Sequence, residues 1–147
     1  LITACGRADR QNHFGRKNLA YSGRCPCLSG EQYDECCGRF HSGDAHAPTA
    51  EQLMRSRYSA FVVLEAEYLL RTWHPRTRPA SLELDPDLEW RRLDILSTRQ
   101  GGPLDREGTV EFAAHFKNER ERGVHRETSR FLRHDKRWYY LDGVMPA

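Results

Sequence analysis

Four cysteines fall within one short run, Cys25-Pro26-Cys27-Leu28-Ser29-Gly30-Glu31-Gln32-Tyr33-Asp34-Glu35-Cys36-Cys37, with the spacing Cys-x-Cys-x8-Cys-Cys. Zinc prefers four thiolate or imidazole ligands at about 2.0–2.3 Å in tetrahedral geometry. Two close pairs joined by a short turn can wrap one ion unaided, and Ser29-Gly30 supplies that turn. The chemistry is that of a structural zinc knuckle with ligands Cys25, Cys27, Cys36 and Cys37. All four positions are filled by sulfur, whereas catalytic zinc keeps one open. A unit this short cannot bury a core, so the metal must supply its folding energy.

The competing reading of the cysteines is a disulfide framework, and compartment separates the two. Charges begin at Arg7, and no apolar stretch of the roughly 7–15 residues that mark a secretory signal is seen. A dense cysteine cluster in a cytoplasmic chain reads as a metal site, and adjacent cysteines such as Cys36 and Cys37 bridge only with strain. A cytoplasmic location is therefore expected. Cys5 is expected to be an unengaged thiol, because the tetrahedron is complete without it. His41, four residues past Cys37, is a substitute donor on paper; its plainer reading is an exposed group or one lying just outside the ligands.

A second group of chemistry-bearing residues lies far downstream. Period two places His125, Glu127, Ser129 and Phe131 on one strand face, with His125 and Glu127 about 7 Å apart along the strand. A histidine beside a carboxylate suits acid–base work near neutral pH. The alternative is a buried hydrogen-bond network, since polar groups inside a domain must be satisfied. No nucleophile with an adjacent base, no phosphate-binding glycine loop and no paired-carboxylate motif accompanies them, which weighs against an enzyme.

The elements that would position these groups follow from punctuation and periodicity. Residues 1–22 mix Gly, Arg, Asn and His without period and read as a disordered extension. Leu1 is not methionine, so an alternative start, a fragment or an added segment is expected there. The knuckle spans 23–41 and a breaker-rich linker spans 42–48. Thr49 opens a helix, with Gln52 completing a capping box. Met54, Tyr58, Phe61, Val62 and Leu69 form its apolar side, and it should run on to His74-Pro75, where proline forbids continuation. Asp85-Pro86-Asp87 resembles the start of a short helical turn. Beyond it the pattern alternates: strands are expected over 90–98, 109–117, 124–133 and 137–141, with turns at Gln100-Gly101-Gly102-Pro103 and His134-Asp135-Lys136. Helices first and an antiparallel sheet after them indicate an α+β class.

The chain has 147 residues, a formal charge of +2 and 30% charged residues, which allows one ordinary domain plus a small appendage. No window approaches the ~18 apolar residues of a membrane span. Near-neutral charge argues against nucleic acid as a partner, and Arg55-Ser56-Arg57 and Arg91-Arg92 read as a solvated helix face and a strand edge.

The run Cys25–Cys37 resembles the SEC-C motif, the zinc-binding element also found at the C-terminus of the translocase ATPase SecA. Arg55-Ser56-Arg57-Tyr58-Ser59-Ala60-Phe61, Tyr68-Leu69-Leu70-Arg71-Thr72-Trp73-His74-Pro75, Val110-Glu111-Phe112 and His125-Arg126-Glu127-Thr128-Ser129-Arg130-Phe131 resemble the bacterial YchJ-like proteins, over about residues 24–143. That resemblance implies a nuclear transport factor 2-like (cystatin-like) cone over 49–143, with helices packed into a curved antiparallel sheet. Members often begin at the zinc motif and often carry a second cysteine motif at the C-terminus; this chain holds one. In such a cone Trp73, His74, Arg78, Trp90 and Asp94 would line the cavity with His125 and Glu127, or His74 and Arg78 would bond Glu127 or Asp94 to hold the Trp73 loop. Pairing of two copies through their sheets is also implied by the fold family.

The resemblance brings no settled activity. It favours a protein-interaction module whose knuckle docks a partner, with export or translation machinery, including the chaperone SecB or the ribosome, as the partner class. The alternative is small-molecule binding or acid–base catalysis in the cone.

Overall fold

The computed structural model describes residues 21–146; the expectations for Cys5 and for residues 1–20 lie outside the described residues. A 3-10 turn, Tyr33–Glu35, leads into helix α1 (Cys37–His41), then α2 (Ala50–Val63) and α3 (Ala66–Arg71). Strands β1 (Glu89–Gln100), β2 (Glu107–Lys117), β3 (Arg122–His134) and β4 (Arg137–Val144) complete the chain. They form one sheet in the order β1-β2-β3-β4, every pair antiparallel. This is the α+β arrangement expected from the order of periodicities.

Thr49 caps α2: its Oγ1 accepts the Gln52 N–H at 3.1 Å and its hydroxyl donates to Gln52 Oε1 at 3.2 Å. The helix expected to run unbroken to His74 is, however, two helices. Leu64 takes φ 63 and ψ 43, and its N–H closes on Ala60 O, so α2 ends there and Leu69 belongs to α3. Left-handed leucine is uncommon, and no glycine or proline announces the break. Asp85-Pro86-Asp87 is likewise a turn outside any helix, in which Asp85 Oδ1 accepts the Asp87 N–H at 2.9 Å.

Register shifts between Trp90 and Arg92, between Ile95 and Ser97, and between Arg130 and Phe131 bend the sheet. Its inner face, carrying Leu93, Val110, Phe112, Ala114, Phe131, Trp138 and Tyr140, packs on Leu53, Met54, Tyr58, Phe61, Tyr68, Leu69 and Trp73 of the helical layer. After α3 the chain runs beside β4, with His74 N–H to Tyr140 O at 2.7 Å and Tyr140 N–H to Thr72 O at 2.8 Å. At the β1–β2 turn Gly101 has φ +82, its carbonyl accepts the Ala50 N–H at 2.9 Å, and any Cβ there would strike the Ala50 methyl. Only glycine lets that turn touch the start of α2.

The segment 42–48 is not free chain. Ala47 is buried in the main core, and the Pro48 carbonyl accepts the Trp138 indole N–H at 3.1 Å.

Candidate functional site

A small hairpin and a helix start assemble the cysteine cluster. Arg24 bridges Gln32, the Cys25 N–H reaches Glu31 O at 2.9 Å, and Leu28 and Gly30 turn the chain with φ 66 and φ 91. This hairpin delivers Cys25 and Cys27, while the step from the 3-10 turn into α1 delivers Cys36 and Cys37. The Cys27 and Cys36 sulfurs lie 3.6 Å apart, those of Cys36 and Cys37 3.9 Å, and all four within 4.8 Å of one another. A disulfide would need about 2.05 Å, whereas sulfurs each about 2.3 Å from a tetrahedral zinc sit about 3.8 Å apart. The cysteines are free thiols whose spacing fits one enclosed ion.

Charge sharing within the cluster argues the same way. Hydrogen bonds from Cys27 and Cys37 hold Cys25 down to about 3, and the same close sulfurs push Cys37 far up. A divalent cation removes this conflict by stabilising all four thiolates at once. Ser29 Oγ lies 3.2 Å from Cys36 Sγ, and Ser59 Oγ on α2 lies 3.6 Å from Cys25 Sγ, both placed to donate to a thiolate.

His41 is neither a ligand nor exposed. Its Nδ1 accepts the Tyr33 hydroxyl at 2.6 Å and its Nε2 donates to the Ser56 carbonyl at 2.8 Å, a pairing that requires the neutral Nε2–H tautomer. Burial lowers its pKa to about 4. Arg55 Nη1 donates to Cys27 O at 2.8 Å, and Arg71 Nη2 to Phe40 O at 3.1 Å and His41 O at 2.8 Å. The knuckle is thus fastened to α2 and α3 along its length.

Within the cone, the register Phe112↔Glu127 and Val110↔Ser129 turns Glu127 and Ser129 inward. His125 Nε2 donates to Glu127 Oε1 at 3.0 Å, so the two side chains meet directly instead of standing about 7 Å apart. Ser129 Oγ and the Tyr140 hydroxyl donate to Glu127 Oε2 at 2.5 and 3.2 Å. Burial opposes a charge on Glu127, but the His125 and Ser129 hydrogen bonds outweigh it and hold the carboxyl below the usual range. The Glu127 side chain is fully buried; that of His125 is 16% exposed.

Opposite this carboxylate sits a second buried ion. Arg57 is 2% exposed and its guanidinium lies 5.1 Å from the Trp73 ring centre and 4.6 Å from that of Tyr140. Nη1 donates to Leu69 O at 2.8 Å and Thr72 Oγ1 at 2.7 Å, while Nη2 and the Trp73 indole nitrogen have no hydrogen-bond partner among the described residues. Burial lowers Arg57 to about 10, which leaves it charged at neutral pH.

Of the residues expected in the cone, His125 and Glu127 meet, and Trp73 joins them through Arg57 and Tyr140. Trp90 packs on Tyr58, Phe61 and Phe116. Arg78 Nε holds the Trp73 carbonyl at 3.0 Å. His74 Nδ1 accepts the Arg76 N–H at 3.1 Å and does not reach Glu127. Asp94 stands on the outer sheet face, since its neighbour Leu93 is the buried one; it binds Arg92 at 2.9 Å and His115 at 3.0 Å.

Residues 49–143 match the family described as the YchJ middle NTF2-like domain. The chain belongs to the YchJ-like family. This YchJ-like chain is 56% identical to a UPF0225 protein of Streptomyces coelicolor over 81% of its own length and 93% of the relative's. It is 52% identical to one of Corynebacterium efficiens, over 84% and 94%. Its fold is similar to that of a SEC-C motif containing protein from Rhodopseudomonas palustris, with TM-score 0.72 and 31% identity over 84% of this chain and 98% of that one. A SEC-C motif containing protein from Psychrobacter arcticus gives TM-score 0.67 and 29% identity, over 84% and 82%.

Arg55-Ser56-Arg57 is not the solvated face expected from its charge: in this YchJ-like chain Ser56 and Arg57 are buried and Arg55 is half-buried against the knuckle. Arg57 sits three residues after Met54 and four before Phe61, on the sheet-facing stripe, while Arg55, Ser56, Ser59 and Val63 form a second stripe under the knuckle. The helical offsets were readable; the charge on Arg57 and the polarity of the serines masked them. Tyr140 was similarly readable only as an inward strand position.

Proposed function

We propose that the chain is a zinc-dependent protein-interaction module of the cytoplasm, in which one structural Zn²⁺ on Cys25, Cys27, Cys36 and Cys37 fixes a docking turn. The observation that carries this reading is Leu28: it lies between ligand cysteines, is 56% exposed and holds a left-handed φ of 66. A large apolar side chain displayed at a metal-locked turn, on a unit whose other side is fastened to α2, suits an anchor for a partner's apolar pocket. The likeness of Cys25–Cys37 to the SecA tail directs the partner class to export or translation machinery. Zinc thiolate sites persist where thiols stay reduced, which suits the cytoplasm; no helix among the described residues is long and apolar enough to cross a membrane.

The test is co-sedimentation with purified bacterial ribosomes and binding to purified SecB, beside native mass spectrometry for zinc. One zinc per chain, binding by wild type and loss of binding in Leu28→Glu with zinc retained support the reading. Full binding by Leu28→Glu, or none by wild type to either partner, removes it.

A second reading has its own observation. The fully buried carboxylate of Glu127 holds Nε2 of a histidine that keeps part of its ring exposed, an arrangement that sets the other nitrogen free for proton transfer. A small ligand retained after zinc removal and lost in His125→Gln would favour it.

A further inference from the structure

The end of the sheet where β1 begins and β2 turns into β3 carries, on its outer face, a concentration of positive charge that the interaction reading does not use. A cavity of about 290 Å³ opens there, lined by Arg91, Arg92, Lys117 and Arg122, by His115, and by Phe116 and Val124, with no carboxylate in its wall. Three strands contribute. The register shift between Trp90 and Arg92 breaks the alternation of β1 and leaves both Arg91 and Arg92 exposed. Lys117 stands opposite Arg122 across β2 and β3 and opposite Glu89 across β1 and β2. Like charges placed opposite one another destabilise a sheet, and among the described residues neither of these two cations makes a salt bridge. Two carboxylates stand beside it: Glu89 holds Arg91 at 3.1 Å, and Asp94 holds Arg92 at 2.9 Å and His115 at 3.0 Å, all partly or largely exposed. Such pairs contribute little and give way to a stronger anion. Glu119 and Glu121 of the β2–β3 turn line no part of the cavity.

We infer that this cavity binds a small phosphomonoester. Guanidinium forks beside an ammonium match a tetrahedral dianion, which can take paired hydrogen bonds from each arginine. A single carboxylate would leave most of the four cations unanswered. The cavity is about the smallest size typical of small-molecule sites, so the ligand is compact. The Phe116 ring faces inward against Trp90, but Val124, 53% exposed and paired with His115 on the outer face, borders the cations with an apolar surface for the organic group of the ester.

The experiment is NMR titration of the full chain with inorganic phosphate, AMP and adenosine, paired with thermal melts, on wild type and on Lys117→Gln/Arg122→Gln. Saturable shifts centred on β1, β2 and β3 residues of this end are expected with AMP, weaker ones with phosphate and none with adenosine. AMP should raise the melting temperature of wild type only. The double variant should bind AMP at least about tenfold more weakly while staying folded without ligand, because Lys117 and Arg122 are both exposed and neither belongs to the core. Absence of saturable binding at millimolar AMP, or equal binding by the variant, overturns the inference. Binding shown only by long RNA and not competed by AMP also overturns it, in favour of a polyanion surface.

Discussion

His41 Nε2 lies 2.8 Å from the Ser56 carbonyl oxygen, joining the last residue of α1 to the middle of α2. With Tyr33 on its other nitrogen, the imidazole is held neutral between knuckle and cone, and protonating it would turn an acceptor toward a donor. Its folded pKa of about 4 lies below the ordinary 6.5. The unfolded chain therefore binds the extra proton first as pH falls. The stabilisation is complete above pH ~6.5 and is lost toward pH ~4, at most about 3 kcal/mol. His41→Gln keeps a donor and an acceptor and cannot titrate. The difference in urea stability between wild type and His41→Gln should shrink over that window; a difference independent of pH would show that His41 does not titrate as argued. A ring-nitrogen NMR spectrum should report the Nε2–H tautomer.

Metal loss should act on one side of α2 first. Structural zinc in short peptides is worth roughly 10–16 kcal/mol of apparent folding energy, and the knuckle has no comparable core. Chelation should raise hydrogen exchange over Cys25–His41 while β2 and β3 stay protected; uniform loss of protection would instead make metal the keystone of the whole fold. Ser59→Ala removes the hydroxyl near Cys25 and should weaken zinc affinity by no more than about tenfold, with the melting temperature unchanged in excess zinc. Unchanged affinity would mean that the 3.6 Å contact carries nothing.

The contrast between ligands and junction shows what was legible. The cysteine spacing and the strand alternation are local signals, and each maps onto one short stretch of chain. Thr49 and Gln52 marked the start of α2 for the same reason. The break at Leu64 depends on a backbone conformation that leucine does not advertise. The interior placement of Arg57, Ser56 and Ser59 depends on two other units covering the same helix, the sheet on one side and the knuckle on the other. Polarity read residue by residue points the wrong way there, because the serines are small enough to admit the knuckle and Arg57 finds acceptors and aromatic faces inside.

Arg57 offers a direct test of that interior. Replacing it with methionine keeps much of the stem but leaves Leu69 O and Thr72 Oγ1 without this donor and removes the positive charge that interacts with Glu127 through the core. A loss of about 2–4 kcal/mol is expected, from two buried acceptors losing a charged donor and from the lost contacts with the Trp73 and Tyr140 rings. Arg57→Met/Glu127→Gln should lose less than the sum of the single changes. Strict additivity in denaturant melts would show that the two ions do not sense each other.

Gly143 limits how Glu127 can be held. The carboxylate rests against the Gly143 backbone, and a Cβ there would overlap Glu127 Oε2, Cδ and Cγ. Glu127 cannot simply swing aside, because Ser129, Tyr140 and His125 fix both oxygens and the side chain has no exposed surface to move into. Gly143→Ala should therefore cost about 1–3 kcal/mol as overpacking. It should also shift the NMR signals of His125 and Tyr140, which touch the new methyl only through Glu127. The same substitution in a Glu127→Ser background has room for the methyl and should cost far less. An equal penalty in both backgrounds would place the strain in the backbone of β4 and not in the contact with Glu127.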